Sequence, residues 1–139
     1  MSIWKQLGKD IDGESKGDYS GYSVSLSDDG LTVAIGAIYN NSKGQVRVYK
    51  YSGTSWTQLG DDIDGEEAGD QSGSSVSLSA DGTTVAIGSF INTSYRGQVR
   101  VYKLENALTR PTLKDFIFST NIVSDSFRLT SPKSDSPGL

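Results

Sequence analysis

The chain has no cysteine and no histidine. Lack of cysteine rules out disulfides and thiolate zinc sites, although it does not exclude secretion. Lack of histidine removes the commonest general base and the commonest metal ligand. Proline is scarce: Pro111, Pro132 and Pro137 are the only three, and all lie late in the chain. No apolar run is long enough to cross a bilayer as a helix, so no membrane insertion is expected. The opening Met1-Ser-Ile-Trp lacks the basic flank and apolar run of a secretory leader. Positive charge is outnumbered, with 13 Lys and Arg against 17 Asp and Glu and a net charge of −4. A generic polyanion-binding surface is therefore disfavoured, and no nucleic-acid partner is expected. Hydrophobic residues make up only 35% of the chain. That composition suits thin strands joined by tight turns better than a large helical core.

What the chain does have is repetition. Trp4-Lys-Gln-Leu-Gly restarts at Trp56-Thr-Gln-Leu-Gly, an offset of 52 that holds through Asp10/Asp62, Gly21/Gly73, Leu26/Leu78 and Gly36/Gly88. The offset becomes 53 at Gly44-Gln-Val-Arg-Val-Tyr-Lys, which returns as Gly97-Gln-Val-Arg-Val-Tyr-Lys, so one residue has been inserted in the loop between. About three positions in four are identical over the aligned core. A period of about 50 residues built from short strands is the mark of propellers and similar arrays. Each such unit buries its apolar faces only against neighbours.

Each repeat reads as four strands. Tyr22-Ser-Val-Ser-Leu-Ser alternates polar and apolar residues, and Leu31-Thr-Val-Ala-Ile-Gly-Ala follows after Asp28-Asp29-Gly30. Asp-Gly between alternating runs is a hairpin signal, because glycine adopts positive φ freely. A polar, variable loop (38–43, and 90–96 in the second copy) precedes a third strand, Gln45 to Tyr51. A fourth spans Ser55 to Leu59. No helical period is present. Val24, Leu26, Val33 and Ile35 make one face bulky, while Ser23, Ser25, Ala34 and Gly36 make the other small. A bulky face laid on the small face of the next sheet gives a core without a large apolar content. The expected fold is all-β, with two four-stranded β-propeller blades per chain.

The chain starts with a fourth-strand motif, Trp4 to Leu7, and its repeats end with a third strand, Gln98 to Tyr102. Trp4 and Leu7 would thus form a structural latch with Val99 and Val101, sealing an otherwise open sheet edge. Two blades cannot close a ring, so a homo-oligomer is expected. Three chains (six blades) are favoured over four (eight blades) as the smaller closed ring. After Lys103 the repeat stops and the composition changes. The organisation is therefore two repeats in 1–104 (4–55 and 56–104), then a segment 105–139 too short to bury a core alone.

Gly21-Tyr-Ser-Val-Ser-Leu-Ser-Asp-Asp-Gly-Leu-Thr-Val-Ala-Ile-Gly-Ala37, followed by Gly44-Gln-Val-Arg-Val-Tyr49, resembles the FG-GAP-like repeat of integrin-alpha-type propellers and large surface proteins. The resemblance covers residues 4 to 103. It implies an extracellular or cell-surface setting and a repeat that works in adhesion. The tail, from Pro111-Thr-Leu-Lys-Asp-Phe to Ser131-Pro-Lys-Ser-Asp-Ser-Pro-Gly, looks like a linker and the truncated start of a bacterial Ig-like domain. On that resemblance the chain is a piece of a longer protein.

The integrin-type calcium loop has no counterpart here. Only Asp28-Asp29-Gly30 and Ala80-Asp81-Gly82 stand at its place, and these cannot wrap a cation that takes about six to eight oxygens. Asp10, Asp12, Asp62 and Asp64, in acidic clusters that also hold Asp18 and Asp70, are the weak metal candidates. Their spacing is not that of an EF-hand, and turn-forming in a solvated connection is the plainer role. No cofactor is expected. The acidic groups recur once per repeat instead of converging once, and no serine elbow with a histidine exists, so no enzyme is expected. Trp4 and Trp56 suit blade-edge packing. Tyr39 and Tyr95, in the variable loops, are the candidate ligand contacts. The function expected is a structural or adhesive interaction module. The alternative is a lectin-like propeller with one sugar site per blade.

Overall fold

A computed structural model describes residues 1–106. Eight strands follow in order: β1 (Ser20–Leu26), β2 (Thr32–Ala37), β3 (Gln45–Tyr51), β4 (Trp56–Gln58), β5 (Ile63–Asp64), β6 (Ser75–Leu78), β7 (Thr84–Ser89) and β8 (Gln98–Lys103). A short 3-10 turn, Asn40–Ser42, lies between β2 and β3. All named strand pairs are antiparallel, in two sheets. The first runs β1-β2-β3-β4, with β5 also paired to β3; the second runs β6-β7-β8.

The β1–β2 hairpin is set by its turn residues. The Asp29 carboxylate accepts hydrogen bonds from the Ser27 hydroxyl (2.7 Å) and the Leu31 N–H (2.9 Å). The Ser27 hydroxyl also accepts from the Thr32 N–H (3.0 Å). Gly30, at φ +70, turns the chain where a side chain would be strained. Ser79, Asp81, Thr83 and Thr84 rebuild the same network in the second copy. Asp29 and Asp81 are thus turn formers.

Cross-strand register assigns the faces. In the first sheet Val24, Ile35 and Arg47 are aligned across β1, β2 and β3, as are Leu26, Val33 and Tyr49; Ser23, Gly36 and Val46, and Ser25, Ala34 and Val48, occupy the other face. In the second sheet the bulky face carries Val76, Ile87 and Arg100 with Leu78, Val85 and Tyr102. The core lies between the small face of the first sheet and the bulky face of the second. Ala34, Val46 and Val48 meet Val85 and Ile87, with Leu59, Ile63, Val76, Leu78 and Tyr102 packed around them. Ser25 accepts a hydrogen bond from the Leu78 N–H (2.9 Å), and the Ser23 hydroxyl donates to the Gly73 carbonyl (2.6 Å). Gly36 is required here, because a Cβ on it would overlap that carbonyl.

One feature differs from the sequence reading. The fourth strand of the first sheet is broken into β4 and β5. Between them Leu59 still donates its N–H to Val48 (2.7 Å), so the strand bulges and then resumes at Ile63–Asp64, beyond the expected end at Leu59. The second sheet has three strands among the described residues, in line with repeats that end on a third strand. Residues 4–7 form no strand with any of the described residues. The expected Ig-like start falls on residues outside those described.

Candidate functional site

The two acidic clusters approach each other at Gln45 and not around a shared ion site. Asp10 and Asp62 each accept a hydrogen bond from the glutamine four residues earlier, Gln6 and Gln58, both at 2.7 Å. Asp12 and Asp64 contribute their backbone carbonyls, and Asp64 its carboxylate as well. Asp12 accepts from Arg47 (2.7 Å) and Asp64 from Arg100 (2.8 Å). Among the described residues, no three acidic side chains are placed to hold a metal ion together.

Asp18 and Asp70 are not solvated loop residues, as the sequence suggested; both are buried. Each accepts from a backbone N–H three residues earlier, Ser15 and Glu67 respectively, at 2.9 Å. Asp18 also accepts from the Asn40 amide (3.0 Å), which donates to Glu14 as well (3.0 Å). Gln45 bridges Glu14 and Asp64, at 3.4 Å to each. The buried Ile38 and Asn40 show that the variable loop of the first copy is folded inward in part. In the second copy Asn92 instead accepts from Ser94 and Arg96 within its own loop. Among the described residues Asp70 has no side-chain amide partner, and its Oδ1 is buried without a hydrogen bond. The one-residue insertion explains this change. The only sequence signal for the buried amides was the glutamine that opens both third strands.

Tyr39 and Tyr95 are exposed, as their loop positions suggested. Tyr39 lies edge-on to Tyr19, with ring centroids 5.2 Å apart. Both Tyr19 and Tyr95 have positive φ, at 56° and 57°, and so does Gln71, the counterpart of Tyr19. In the second copy Phe90 adds a further exposed ring in the same loop as Tyr95. The aromatic surface of the two loops is therefore not repeated position by position.

Trp56 packs near Tyr51 (5.2 Å between centroids) and donates its indole N–H to the Leu7 carbonyl (2.7 Å). It also lines a groove of about 460 Å³ with Tyr49, Lys9, Asp10 and Asp12. Trp4 is fully exposed and Leu7 partly so. Val99 and Val101, expected in the latch, have side chains on the small face of the second sheet, aligned with Gly88 and Ala86. Any latch at β8 is made by its backbone edge, because side chains of a strand point out of the hydrogen-bonding plane.

Residues 11–49 match the FG-GAP repeat. That segment runs from the acidic cluster through β3, and 63–102 repeats it in both sequence and strand order. The chain thus carries an FG-GAP repeat at 11–49 and a second copy of that sequence at 63–102. No curated protein matches it.

Proposed function

We propose that this FG-GAP-like repeat protein is a non-enzymatic structural or adhesive interaction module of an extracellular or cell-surface protein. One observation carries the reading: the two repeats are alike in their strands and turns but differ in the loops, where Tyr19, Tyr39, Phe90 and Tyr95 stand exposed. A rigid scaffold with variable aromatic loops is suited to contacting another macromolecule. The polar groups of the repeats are spent on turns and on tying the sheets together, through Asp29, Asp81, Arg47 and Arg100. FG-GAP repeats typically occur in extracellular or surface proteins, which supports the setting.

The groove beside Trp56 and Tyr49 favours a second reading, a lectin-like site in which a sugar stacks on an aromatic ring and bonds to Asp10 or Asp12. A glycan array with the full chain separates the two. The adhesive reading expects no saturable sugar binding, together with protein adhesion that falls in a Tyr39→Ser, Tyr95→Ser variant. Saturable sugar binding that is lost in Trp56→Ala would replace it with the lectin reading.

A further inference from the structure

The two sheets of one chain form an interface, and each sheet presents outward the half of that interface which the other has used. On the first sheet the bulky face is uncovered along β1, with Val24 63% and Leu26 58% exposed. Their counterparts on the second sheet, Val76 and Leu78, are packed into the core. The small face of the second sheet is equally uncovered, with Val99 71% and Val101 65% exposed, whereas Val46 and Val48 are buried at 0% and 8%. A hollow of about 400 Å³ lies on this face beside Ser75, Gly88 and Val99.

The N-terminal segment already lies where a preceding sheet would place its last strand. Within the chain, Arg100 reaches from β8 across to the Asp64 carbonyl of β5, the broken fourth strand of the preceding sheet. Arg47 reaches in the same way from β3 to the Asp12 carbonyl. Residues 4–13 therefore lie against the first sheet as β4 and β5 lie against the second. They are a fourth strand whose sheet the described residues do not supply. The strand they would pair with is a third strand, and β8 is a third strand that lacks a fourth among the described residues.

We propose that a second copy of this chain covers both free surfaces, head to tail and with one polarity. The bulky face of the first sheet in one copy covers the small face of the second sheet in the next, and residues 4–13 complete that neighbour's second sheet on β8. The intrachain bonds supply the template: the Leu26 N–H is placed for the Ser77 hydroxyl of the next copy as Leu78 bonds Ser25, and its Ser75 hydroxyl for the Gly21 carbonyl as Ser23 bonds Gly73. Five positions across these faces are identical to their buried counterparts, Val24/Val76, Leu26/Leu78, Ser75/Ser23, Ser77/Ser25 and Gly88/Gly36, while Tyr22 stands where the second copy has Ser74. A head-to-tail contact either closes into a ring or runs on as a filament. Three copies give the six-bladed ring, within the usual size range of propellers.

Light scattering coupled to size exclusion on the full chain tests this. The expected mass is three times the 14.9 kDa of one chain. A monomer, or a dimer that does not grow, overturns the proposal. Polarity is tested with two variants, Val24→Asp with Leu26→Asp on the bulky face, and Val99→Asp with Val101→Asp on the small face. Each alone should run at one third of the wild-type mass with its strand circular dichroism retained. Mixed in equal amounts they should form a one-to-one heterodimer, because one intact face of each remains complementary to the other. Variants that are folded but stay monomeric on mixing, or that remain trimeric alone, overturn the polarity. The mass of the unmodified chain stays decisive even where a charged variant fails to fold.

Discussion

Replacing Gly36 by alanine tests the packing of the two sheets within one chain. Gly36 lies in β2 without a positive φ, so alanine meets no backbone strain there and should gain about 0.5–1 kcal/mol from reduced chain entropy. The added Cβ, however, would overlap the Gly73 carbonyl and the Ser23 hydroxyl. The carbonyl belongs to the backbone of the second repeat and cannot rotate away. Overpacking of this kind costs about 1–3 kcal/mol, and forcing the sheets apart also loses the Ser23–Gly73 hydrogen bond, about 1 kcal/mol. The net destabilisation is about 1–3.5 kcal/mol, which for a domain of this size lowers Tm by about 4 °C or more. Gly53→Ala is the reference. Gly53 has φ +98, and a Cβ there would meet nothing within 4 Å, so only backbone strain of about 1 kcal/mol applies. Thermal unfolding followed by tryptophan fluorescence, at one protein concentration, measures both. If Gly36→Ala melted no lower than Gly53→Ala, Gly73 would not lie over Gly36 and the stacking described would be wrong.

Other outcomes are specific to single groups. Arg100→Ala removes hydrogen bonds to Asp64, Ser72 and Tyr102 and should destabilise the chain by about 2–3 kcal/mol, read in urea unfolding; a loss under about 0.5 kcal/mol, the floor for one hydrogen bond, would deny that the arginine ties the sheets together. The Asp81 carboxyl is lowered from its ordinary 3.8 to about 2, chiefly by the Ser79 hydroxyl and then by the Thr83 N–H and hydroxyl. A lowered carboxyl contributes stability that is present above pH 3.8 and lost as pH falls through about 2. Asp81→Asn should therefore flatten the acid limb of the stability curve in that window, and an unchanged limb would speak against it. Millimolar calcium should leave Tm unchanged, since a ligand of the folded state would raise it; a rise lost in Asp62→Ala and Asp64→Ala would establish a calcium site. Deleting residues 1–8 should abolish the assembled mass or cause aggregation by leaving the β8 edge open; an unchanged mass would remove the latch.

The repeat made most of the fold legible. The alternation in Tyr22–Ser27 and Leu31–Ala37, the Asp-Gly turns and the contrast between bulky and small faces predicted the strands and which faces meet. Positions that depend on the neighbouring sheet were less visible. Ile63–Asp64 was hidden as a strand because a bulge interrupts the alternation after Gln58. Asp18 and Asp70 read as solvated, because a buried carboxylate that caps a turn has the same sequence as an exposed one. Asn40 and Gln45 were missed as partners of the acidic groups for the same reason: their burial comes from a loop whose length differs between copies. Tyr39 and Tyr95 were legible as exposed because the repeat does not align them. Asp12 meets Arg47 through its backbone carbonyl, and Asp64 meets Arg100 in the same way besides accepting from Gln45 with its carboxylate; no side-chain pattern announces a carbonyl contact.

The direct test of the stacked arrangement is a nuclear Overhauser measurement on methyl-labelled protein. The account predicts cross-peaks from Ala34 and Val46 on the first sheet to Val85 and Ile87 on the second, because all four are buried in one cluster. Cross-peaks confined within each sheet, with none between Ala34 and Ile87, would contradict it.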